Sequence, residues 1–528
     1  MQHQNSTPVR TVAVIDIGTT SIRMQIADVG GNGVSVLETL SQVVSLGKDT
    51  FSTGEIGRST IEDCVSVLRN YRSKLEEYQI RLEDVRVVAT NAVREATNRL
   101  AFIDRVYVAT GLSVEPIDVA EVHRITYRSI QPLLKAQPML FEAVSAIVEV
   151  SGGSTEVLML DQGNVSVATS IKLGTARLQQ FLGSMQIGRH RLQDVLDKEI
   201  RSLVDPLIER LPHERASNLI AMGGDARFAA RQLLGVEPKP GTLQEISTEQ
   251  LRNFAHDIID MSDEELVDEY HLSFAEAETV GPALLAYVQL AEVLNVDRIL
   301  VSSANLRDGL LREMSEGGGW TEDFHGQIMR SAWELAGRYH VDEDHAKQVA
   351  GLASQLFRLL QPELALTPHY ETLLRVAAIL HETGSYINSS SIHKHSMYIV
   401  LNSEIFGLTA DDVLIVGLLV RYHRRAFPKP THQPYSSLDR DKRVVVCKLA
   451  AILRLAIVLD TSRNQRITDL NIERVRDRII ISVPGVDDLA VEQLALPPAR
   501  SFFELIFGKK VVLRPETSTV TAEVSSQL

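Results

Sequence analysis

Two segments of the chain share an uncommon layout, and this layout constrains the fold more than any other feature. Residues 11–40 and 146–172 each read as a strand, a tight turn of glycine and hydroxyl residues, a second strand, another turn and a third strand. An acid closes the first strand of each copy, Asp16 in "VIDIGTTSIRM" and Glu149 in "VEVSGGSTEV". Repetition of such a three-stranded meander indicates an internal duplication.

Helical patterns and short apolar runs follow each meander. Two of these runs, 85–90 and 219–224, end in small residues, as strands that lead into turns do. The alternation of strands and helices predicts two related α/β domains that face each other, over residues 11–125 and 126–315.

The composition changes near residues 314–323, "MSEGGGWTED", and the chain beyond them reads almost entirely as helix. We therefore predict an all-helical domain over 320–465, followed by a small α+β piece over 466–515. The polar ends, 1–10 and 516–528, are predicted to be disordered. Helical periodicity is found in five segments of the helical domain: 324–338, 343–360, 370–382, 410–425 and 441–460.

The bulk properties exclude several classes of protein. The formal net charge of −14 argues against a general nucleic-acid-binding protein, although it leaves room for a local basic channel. No run reaches the ~18 apolar residues of a membrane span, and the N-terminus lacks the apolar core of a signal peptide. Cys64 and Cys447 suit neither a disulfide framework nor a zinc site. These features predict a cytoplasmic protein without membrane or nucleic-acid partners.

The paired turns have the chemistry of a phosphate site. Glycine allows a turn to aim successive backbone N–H groups at one point, and neighbouring Ser and Thr hydroxyls add donors. An acid beside such a turn would repel phosphate unless a divalent cation lay between them. Two matched copies favour a phosphate–metal site between two domains. The alternative is a pair of ordinary hairpin turns.

Several motifs resemble the exopolyphosphatase / guanosine pentaphosphate phosphatase (Ppx/GppA) family. "VEVSGGSTEV" is similar to the family's second phosphate loop, D-x-G-G-G-S-T-E, and "AVIDIGTTSIRMQIAD" to its first, D-x-G-S-N-S. "VVATNAVREATN" resembles the motif A-T-S-A-x-R-x-A-x-N, while "KLGTARL" and "ANLRDGLL" also fit. The resemblance implies an α/β fold of two actin-like (RNase H-like, ASKHA) domains, and a homodimer is an expectation from the family alone.

The resemblance also implies roles for particular residues. Asp16, Glu149 and Glu156 fall on acids associated with a metal, Mg²⁺ or Mn²⁺. Glu121 falls in the motif of the catalytic glutamate and would position or deprotonate the attacking water. The implied phosphate-binding residues are Gly18, Thr19, Thr20, Arg94, Gly152, Gly153, Ser154 and Thr155.

The chain departs from the family pattern near these positions. The catalytic motif resembles I-S-G-x-E-E-A-R-L-I-Y, and here Glu121 keeps the first Glu while the second has become Val122. A solvated helix residue is the alternative reading of Glu121. Glu149 stands where the family has Asp, and Ser151 where it has Gly. Asp225 replaces the Thr of a G-G-T motif, and no catalytic role is expected for it.

Polar residues also lie on the apolar stripes of the predicted helices of the third domain. His nitrogens mixed with carboxylates suit a transition metal, Mg²⁺ or Mn²⁺. The pattern resembles the HD phosphohydrolase domain, with a His-Glu pair in place of its His-Asp, and a second metal is one reading. A hydrogen-bonded polar core without metal is the other. The residues are His345, His381, Glu382, His423 and Asp460.

A basic stretch stands out in this acidic chain. "RYHRRAFPKP" contains Arg421, Arg424, Arg425 and Lys429, and "IHKHS" lies at 392–396. Together these segments could line a channel for a polyanion, or they could form a solvated helix end.

The leading interpretation is a Mg²⁺-dependent exopolyphosphatase that releases terminal phosphate from inorganic polyphosphate. The close alternative is hydrolysis of guanosine pentaphosphate. A sugar or acetate kinase of the same superfold is disfavoured by the Arg94 motif and by the lack of a nucleotide motif. A phosphate or nucleotide sensor with weakened turnover is supported by the departures at Glu149, Val122, Thr19-Thr20 and Asp225.

Overall fold

A computed structural model describes residues 9–30, 33–183, 192–208, 216–236, 239–316, 321–424 and 426–516. The chain divides into two compact units, Met1–Thr321 and Glu322–Leu528, and each is described by itself. Most of both predicted disordered ends and the predicted channel residue Arg425 lie outside the described residues. In the described part of the chain, no helix combines the length and the apolar character needed to cross a membrane.

The first sheet of unit 1 has the order β3-β2-β1-β4-β5. Its first three strands form the predicted antiparallel meander, and β4 and β5 extend the sheet in parallel. The strands are β1 (Arg10–Ile17), β2 (Ser21–Gly30), β3 (Gly33–Val43), β4 (Val85–Ala89) and β5 (Val114–Pro116).

The second sheet repeats this plan in the order β10-β11-β9-β6-β7-β8. A meander of three strands is again extended in parallel, here by β9 and β11, and an antiparallel strand closes the edge. The predicted duplication of the meander is confirmed. The strands are β6 (Ser145–Val150), β7 (Thr155–Asp161), β8 (Asn164–Ile171), β9 (Asn218–Met222), β10 (Leu243–Ser247) and β11 (Arg298–Ser302).

Helices cover both faces of the sheets. In the first part of unit 1 they are α1 (Leu46–Thr53), α2 (Arg58–Glu77), α3 (Asn91–Glu95), α4 (Arg99–Thr110), α5 (Val119–Ala136) and α6 (Pro138–Glu142). The rest are α7 (Thr175–Gly183), α8 (Leu192–Ile208), α9 (Gly224–Leu234), α10 (Thr248–Asp260), α11 (Asp263–Tyr270), α12 (Phe274–Leu294) and α13 (Leu306–Glu316). Helix α5 runs across the predicted boundary at residues 125 and 126.

Side-chain alternation along the first strand of each meander explains where the two acids point. In β1, Ile15 and Ile17 face the core shared with α2 and α4, whereas Val12 and Val14 face α5 and α13. Because successive residues of a strand point to opposite faces, Asp16 emerges on the side of α5 and α13. In β6 the even-numbered residues face the other core, so Glu149 points away from it.

Unit 2 is a helical bundle with a small sheet. Its first helices are α14 (Glu322–Arg338), α15 (Glu343–Leu359), α16 (Gln361–Leu364) and α17 (His369–Leu380). They are followed by α18 (Ile392–Leu401), α19 (Ala410–Tyr422), α20 (Arg440–Leu459) and α21 (Ala490–Phe507). The sheet order is β12-β13-β14, with β12 (Asn471–Val475), β13 (Arg478–Val483) and β14 (Lys510–Pro515). The predicted helical region is confirmed, and its closer likeness to HD domains stays a prediction.

Candidate functional site

The two glycine–hydroxyl turns share the same closing backbone hydrogen bond. In the first turn the N–H of Gly18 donates to the carbonyl of Ser21, and in the second the N–H of Ser151 donates to that of Ser154, both at 2.9 Å. The residues between them, Thr19-Thr20 and Gly152-Gly153, donate no backbone hydrogen bond to any residue that the structure describes. Each turn therefore presents two free N–H groups, which can bind an anion.

The glycines of the second turn serve close approach rather than an unusual backbone conformation. Gly152 and Gly153 both lack a positive φ angle. A Cβ atom on Gly152 would lie 2.9 Å from the side chain of Thr19, and one on Gly153 would lie 2.5 Å from that of Asn91. Gly152 therefore lets the second turn touch the first, and Gly153 lets it pack on Asn91.

A cavity of ≈ 410 Å³ lies between the two sheets of unit 1, where both turns open. Tyr287 of α12 supports its floor, because its hydroxyl accepts from the N–H of Val150 at 3.0 Å and donates to the carbonyl of Met222. Of the predicted site residues, those that line the cavity are Asp16, Gly18, Thr19, Thr20, Glu149, Gly152, Ser154 and Glu156.

The three predicted metal-binding acids have different surroundings. Asp16 forms an ion pair with Arg307 at 3.2 Å. Burial would raise the pKa of Glu156, but hydrogen bonds from His123 at 2.7 Å, Ser154 and Ser170 hold it below its usual range. Burial, with the adjacent Glu156 charge, raises the pKa of Glu149 to about 7.

The acid set fits a hard divalent cation. Glu149 and Glu156 stand directly opposite each other on β6 and β7, and like charges in such a pair repel. Within the described part of the chain, the carboxylate of Glu149 accepts only a long hydrogen bond from Thr126, at 3.4 Å. A cation such as Mg²⁺, which prefers carboxylate oxygens, would supply the missing partner.

Glu121, the predicted catalytic residue, lies outside the lining of this cavity. Its carboxylate accepts hydrogen bonds from Arg86 at 2.9 Å and Arg124 at 3.2 Å, next to Glu313 of α13. Val122 lines the cavity instead. Neighbouring residues on a helix point about 100° apart, so only one of this pair can face the phosphate turns. Glu121 thus lies beside the cavity rather than in its lining, and its catalytic role stays a prediction.

Three predicted phosphate-binding residues also lie behind the lining. Arg94 donates to the carbonyl of Ile117 at 3.0 Å and to the side chain of Asn91, which itself donates to Ser154 Oγ at 2.6 Å. Arg94 is therefore linked to the cavity lining indirectly, by its hydrogen bond to the side chain of Asn91. The hydroxyl of Thr155 donates to a backbone carbonyl, and Gly153 packs on Asn91.

Several cavity residues were not predicted from the sequence. The cavity is also lined by Arg23, Arg227 and Arg231, so its lining carries more positive charge than the motifs indicated. Asp225 also lines it, and burial raises the pKa of that carboxyl to about 6. Buried Arg307 could have been identified from the sequence, because it is an arginine at the start of a helix with apolar neighbours, in "ANLRDGLL".

The polar residues of the helical unit converge as predicted. His381, His423 and Asp460 directly follow the ends of α17, α19 and α20, and His345 lies in the first turn of α15. The ring centroids of His345 and His381 lie 5.4 Å apart, and those of His381 and His423 lie 5.2 Å apart. Asp460 Oδ2 lies 2.7 Å from His345 Nδ1.

The basic segments of this unit lie close together. Burial lowers the pKa of His393 to about 4, helped by the nearby charges of Arg421 and Arg424. Lys429 is exposed. This local positive charge agrees with an anion-binding surface, and the predicted channel stays a prediction.

Comparison with known proteins gives two matching family models. The model described as the Ppx/GppA phosphatase family matches residues 25–316, more than half of the chain, and the model of Ppx/GppA phosphatase domain III matches residues 329–492. Among solved structures, an exopolyphosphatase from Cytophaga hutchinsonii is 21% identical with a TM-score of 0.53, covering 58% of this chain and 99% of that chain. This likeness supports the fold.

Two curated relatives have similar lengths. A guanosine-5′-triphosphate,3′-diphosphate pyrophosphatase of Photobacterium profundum is 22% identical over 480 residues, covering 90% of this chain and 91% of that protein. One of Vibrio parahaemolyticus is 23% identical over 470 residues, covering 88% and 89%. With the duplicated turns, the acidic cavity and both family models in agreement, the chain belongs to the Ppx/GppA phosphatase family.

Proposed function

We propose that this protein hydrolyses the terminal phosphoanhydride bond of inorganic polyphosphate in the cavity between its two sheets. The observation that carries the proposal is the convergence of four free backbone N–H groups, from Thr19, Thr20, Gly152 and Gly153, with three carboxylates. Donors of this kind bind phosphoryl oxygens, while paired carboxylates call for a cation.

The residues of the cavity have separable roles in this proposal. The two turns grip the terminal phosphoryl group from opposite sides, and Ser154 Oγ, which accepts from Asn91 and donates to Glu156, fixes the second turn beside the acids. Asp16, Glu149 and Glu156 would hold Mg²⁺ (or Mn²⁺), which neutralises phosphate charge when bound. Positioning and charge stabilisation provide most of the catalysis of phosphoryl transfer.

The arginines of the cavity support a long polyanion as substrate. Arg23, Arg227 and Arg231 line the same space as the turns, and Nη1 of Arg227 is buried without a hydrogen-bond partner among the described residues. Guanidinium groups suit successive phosphates because their planar donors match phosphate oxygens.

Hydrolysis of guanosine pentaphosphate is the second candidate. The specific support is the naming of relatives that align over about nine-tenths of the chain.

A site with weakened turnover is the third candidate, since the cavity presents Val122 where a carboxylate would serve as base. The homodimer and the cytoplasmic location also remain proposals.

Phosphate release from three substrates tests these candidates: long-chain polyphosphate, guanosine pentaphosphate and ATP, each with Mg²⁺. We expect the highest kcat/KM for polyphosphate and a loss of about 10–100-fold in Asp16→Asn. Preference for guanosine pentaphosphate would select the second candidate. Tight binding of polyphosphate without measurable release, in wild-type protein, would select the third. Release that is unchanged in Asp16→Asn would contradict all assignments to this cavity.

A further inference from the structure

We propose that His123 of α5 is a positioning residue of the cavity in unit 1, whose N–H holds the Glu156 carboxylate so that a single oxygen lone pair is left for a cation. This inference rests on the proposed function, because it concerns the ion that the acids of the cavity would hold. His123 is 4% exposed, and its Nε2 lies 2.7 Å from Glu156 Oε2. Glu156 lines the cavity itself, so His123 acts on the site through it.

The packing of α5 fixes the direction of His123. The helix packs against strands β7 and β8, which carry Glu156 and, directly opposite it, Ser170. One helical turn after His123, the hydroxyl of Tyr127 donates to the carbonyl of Gly163, in the turn between these strands, at 2.9 Å. Residues four apart lie on the same face of a helix, so His123 and Tyr127 both face this hairpin.

The hydrogen bonds on Glu156 decide which of its lone pairs remain. The hydroxyls of Ser154 and Ser170 both donate to Oε1, whereas His123 contacts Oε2. Each carboxylate oxygen has two lone pairs, so Oε1 is fully used and Oε2 has one lone pair left. An ionised carboxylate cannot donate, and the proton of the contact therefore belongs to Nε2 of His123. Glu156 would meet a cation through Oε2, in the orientation that His123 sets.

The contact also offsets the crowding of two acids. Glu149 stands directly opposite Glu156 on the neighbouring strand, and like charges in such a pair repel. Glu156 is 5% exposed, and a buried carboxylate is costly without hydrogen-bond donors. Without His123, its Oε2 would have no protein donor among the residues that the structure describes. The carboxylate would then be free to turn away from the position in which it meets the ion.

The sequence indicates that this arrangement is particular to this chain. In the motif I-S-G-x-E-E-A-R-L-I-Y, alanine takes the position of His123 and glutamate that of Val122. An alanine side chain has no hydrogen-bond donor, so the bond to Glu156 is a departure from the motif. Helix α5 has exchanged an acid of its own for a histidine that fixes an acid of β7.

Manganese binding to the full-length protein, followed by EPR of the free ion, tests this role. His123→Leu removes the donor at similar size, and we expect Mn²⁺ affinity at the cavity to fall about 10–100-fold, as for other groups that orient a metal ligand. His123→Gln carries an amide N–H of similar reach and should bind nearly as wild type. The matched control is His256→Leu, the same exchange at a half-buried histidine of α10, and should leave binding unchanged. Asp16→Asn identifies the part of the binding that belongs to the cavity.

Phosphate release from polyphosphate gives a second readout. Added Mg²⁺ should restore most of the release in His123→Leu, with the KM for polyphosphate unchanged, because this variant lacks affinity for the ion and keeps both phosphate-binding turns. A KM for polyphosphate that rises with Mn²⁺ affinity unchanged would overturn the inference.

Equal Mn²⁺ affinity in wild type and His123→Leu, with both folded by circular dichroism and binding lost in Asp16→Asn, would overturn this inference alone. Equal losses in His123→Leu and His123→Gln would also overturn it, since the N–H donor would then not matter. Binding unchanged in Asp16→Asn would contradict the proposed function, and the inference with it.

Should His123→Leu fail to fold, NMR of wild type with isotope-labelled histidine decides. Mg²⁺ should shift the imidazole N–H signal that is missing from His123→Gln. A signal that Mg²⁺ leaves in place would overturn the inference.

Discussion

The first and second turns of unit 1 have nearly the same backbone but opposite electrostatics. Each is closed by one backbone hydrogen bond of 2.9 Å across four residues. On the neighbouring strand, however, Asp16 faces Arg23, whereas Glu149 faces Glu156. Arg307 adds a second cation beside Asp16. Duplication thus produced one copy whose acid is neutralised by the protein and one whose acid requires an external cation.

The second copy should therefore be the more sensitive to loss of its acid. Glu149→Gln removes the carboxylate that has the weakest protein partners, and we expect phosphate release to fall about 10²–10³-fold, as when a group that stabilises charge in a transition state is removed. Steady-state release with Mg²⁺ measures this. Glu278→Gln, at an exposed residue of α12, is the control. A loss below tenfold would place the cation mainly on the first copy.

The same contrast predicts how stability depends on pH in chelated protein. The folded-state pKa of Glu149 is about 7, against 4.5 ordinarily, so the folded state holds an extra proton between these values. The free energy of unfolding should therefore fall as pH rises from 4.5 through 7. The cost approaches about 3 kcal/mol above pH 7.

Urea unfolding with a chelator, for wild type and Glu149→Gln at several pH values, measures this cost. The difference between the two proteins isolates Glu149 from Asp225, whose pKa is also raised. Parallel pH profiles for the two proteins would show that Glu149 ionises freely without a cation. Added Mg²⁺ should flatten the wild-type profile, because the ion stabilises the charged carboxylate.

The two turns also differ where they touch: the first contributes the side chain of Thr19, and the second contributes Gly152, which has no side chain. Gly152→Ala would place a Cβ atom 2.9 Å from Thr19, and such overpacking costs about 1–3 kcal/mol. Thr19→Gly should relieve the clash, giving a favourable coupling in a double-mutant cycle of unfolding free energies. Gly224→Ala, where a Cβ meets no atom within 4 Å, is the control. Additive effects would mean that the turns do not touch.

The sequence predicted which strands and helices build this site better than it predicted which of their side chains face the cavity. Apolar alternation is a local property, so both meanders and the five helical segments were recoverable from it. Asp16–Arg307 and His123–Glu156 join residues far apart in the chain, and no local pattern reports such contacts. The family motif placed Glu121 at the position of the catalytic acid. A motif carries no information, however, on which residues of α5 face the cavity.

The orientation of α5 leads to the last prediction, which has the smallest expected effect on phosphate release. Glu121 belongs to an ion network with Arg86, Arg124 and Glu313, so Glu121→Gln should change phosphate release less than threefold while lowering stability by about 1 kcal/mol. Val122→Glu would instead bring a carboxylate to the cavity, and we expect up to tenfold faster release, less than the roughly 10²–10⁴-fold that a well-positioned general base contributes.

Val122→Gln, of equal size without the charge, is the control for Val122→Glu. Steady-state release and thermal unfolding of all three variants separate catalysis from stability. A loss of a hundredfold or more in Glu121→Gln, with stability unchanged, would mean that α5 turns to bring Glu121 to the substrate. The second copy would then receive its catalytic acid from a helix that the free protein holds aside through the Arg86 and Arg124 ion pairs.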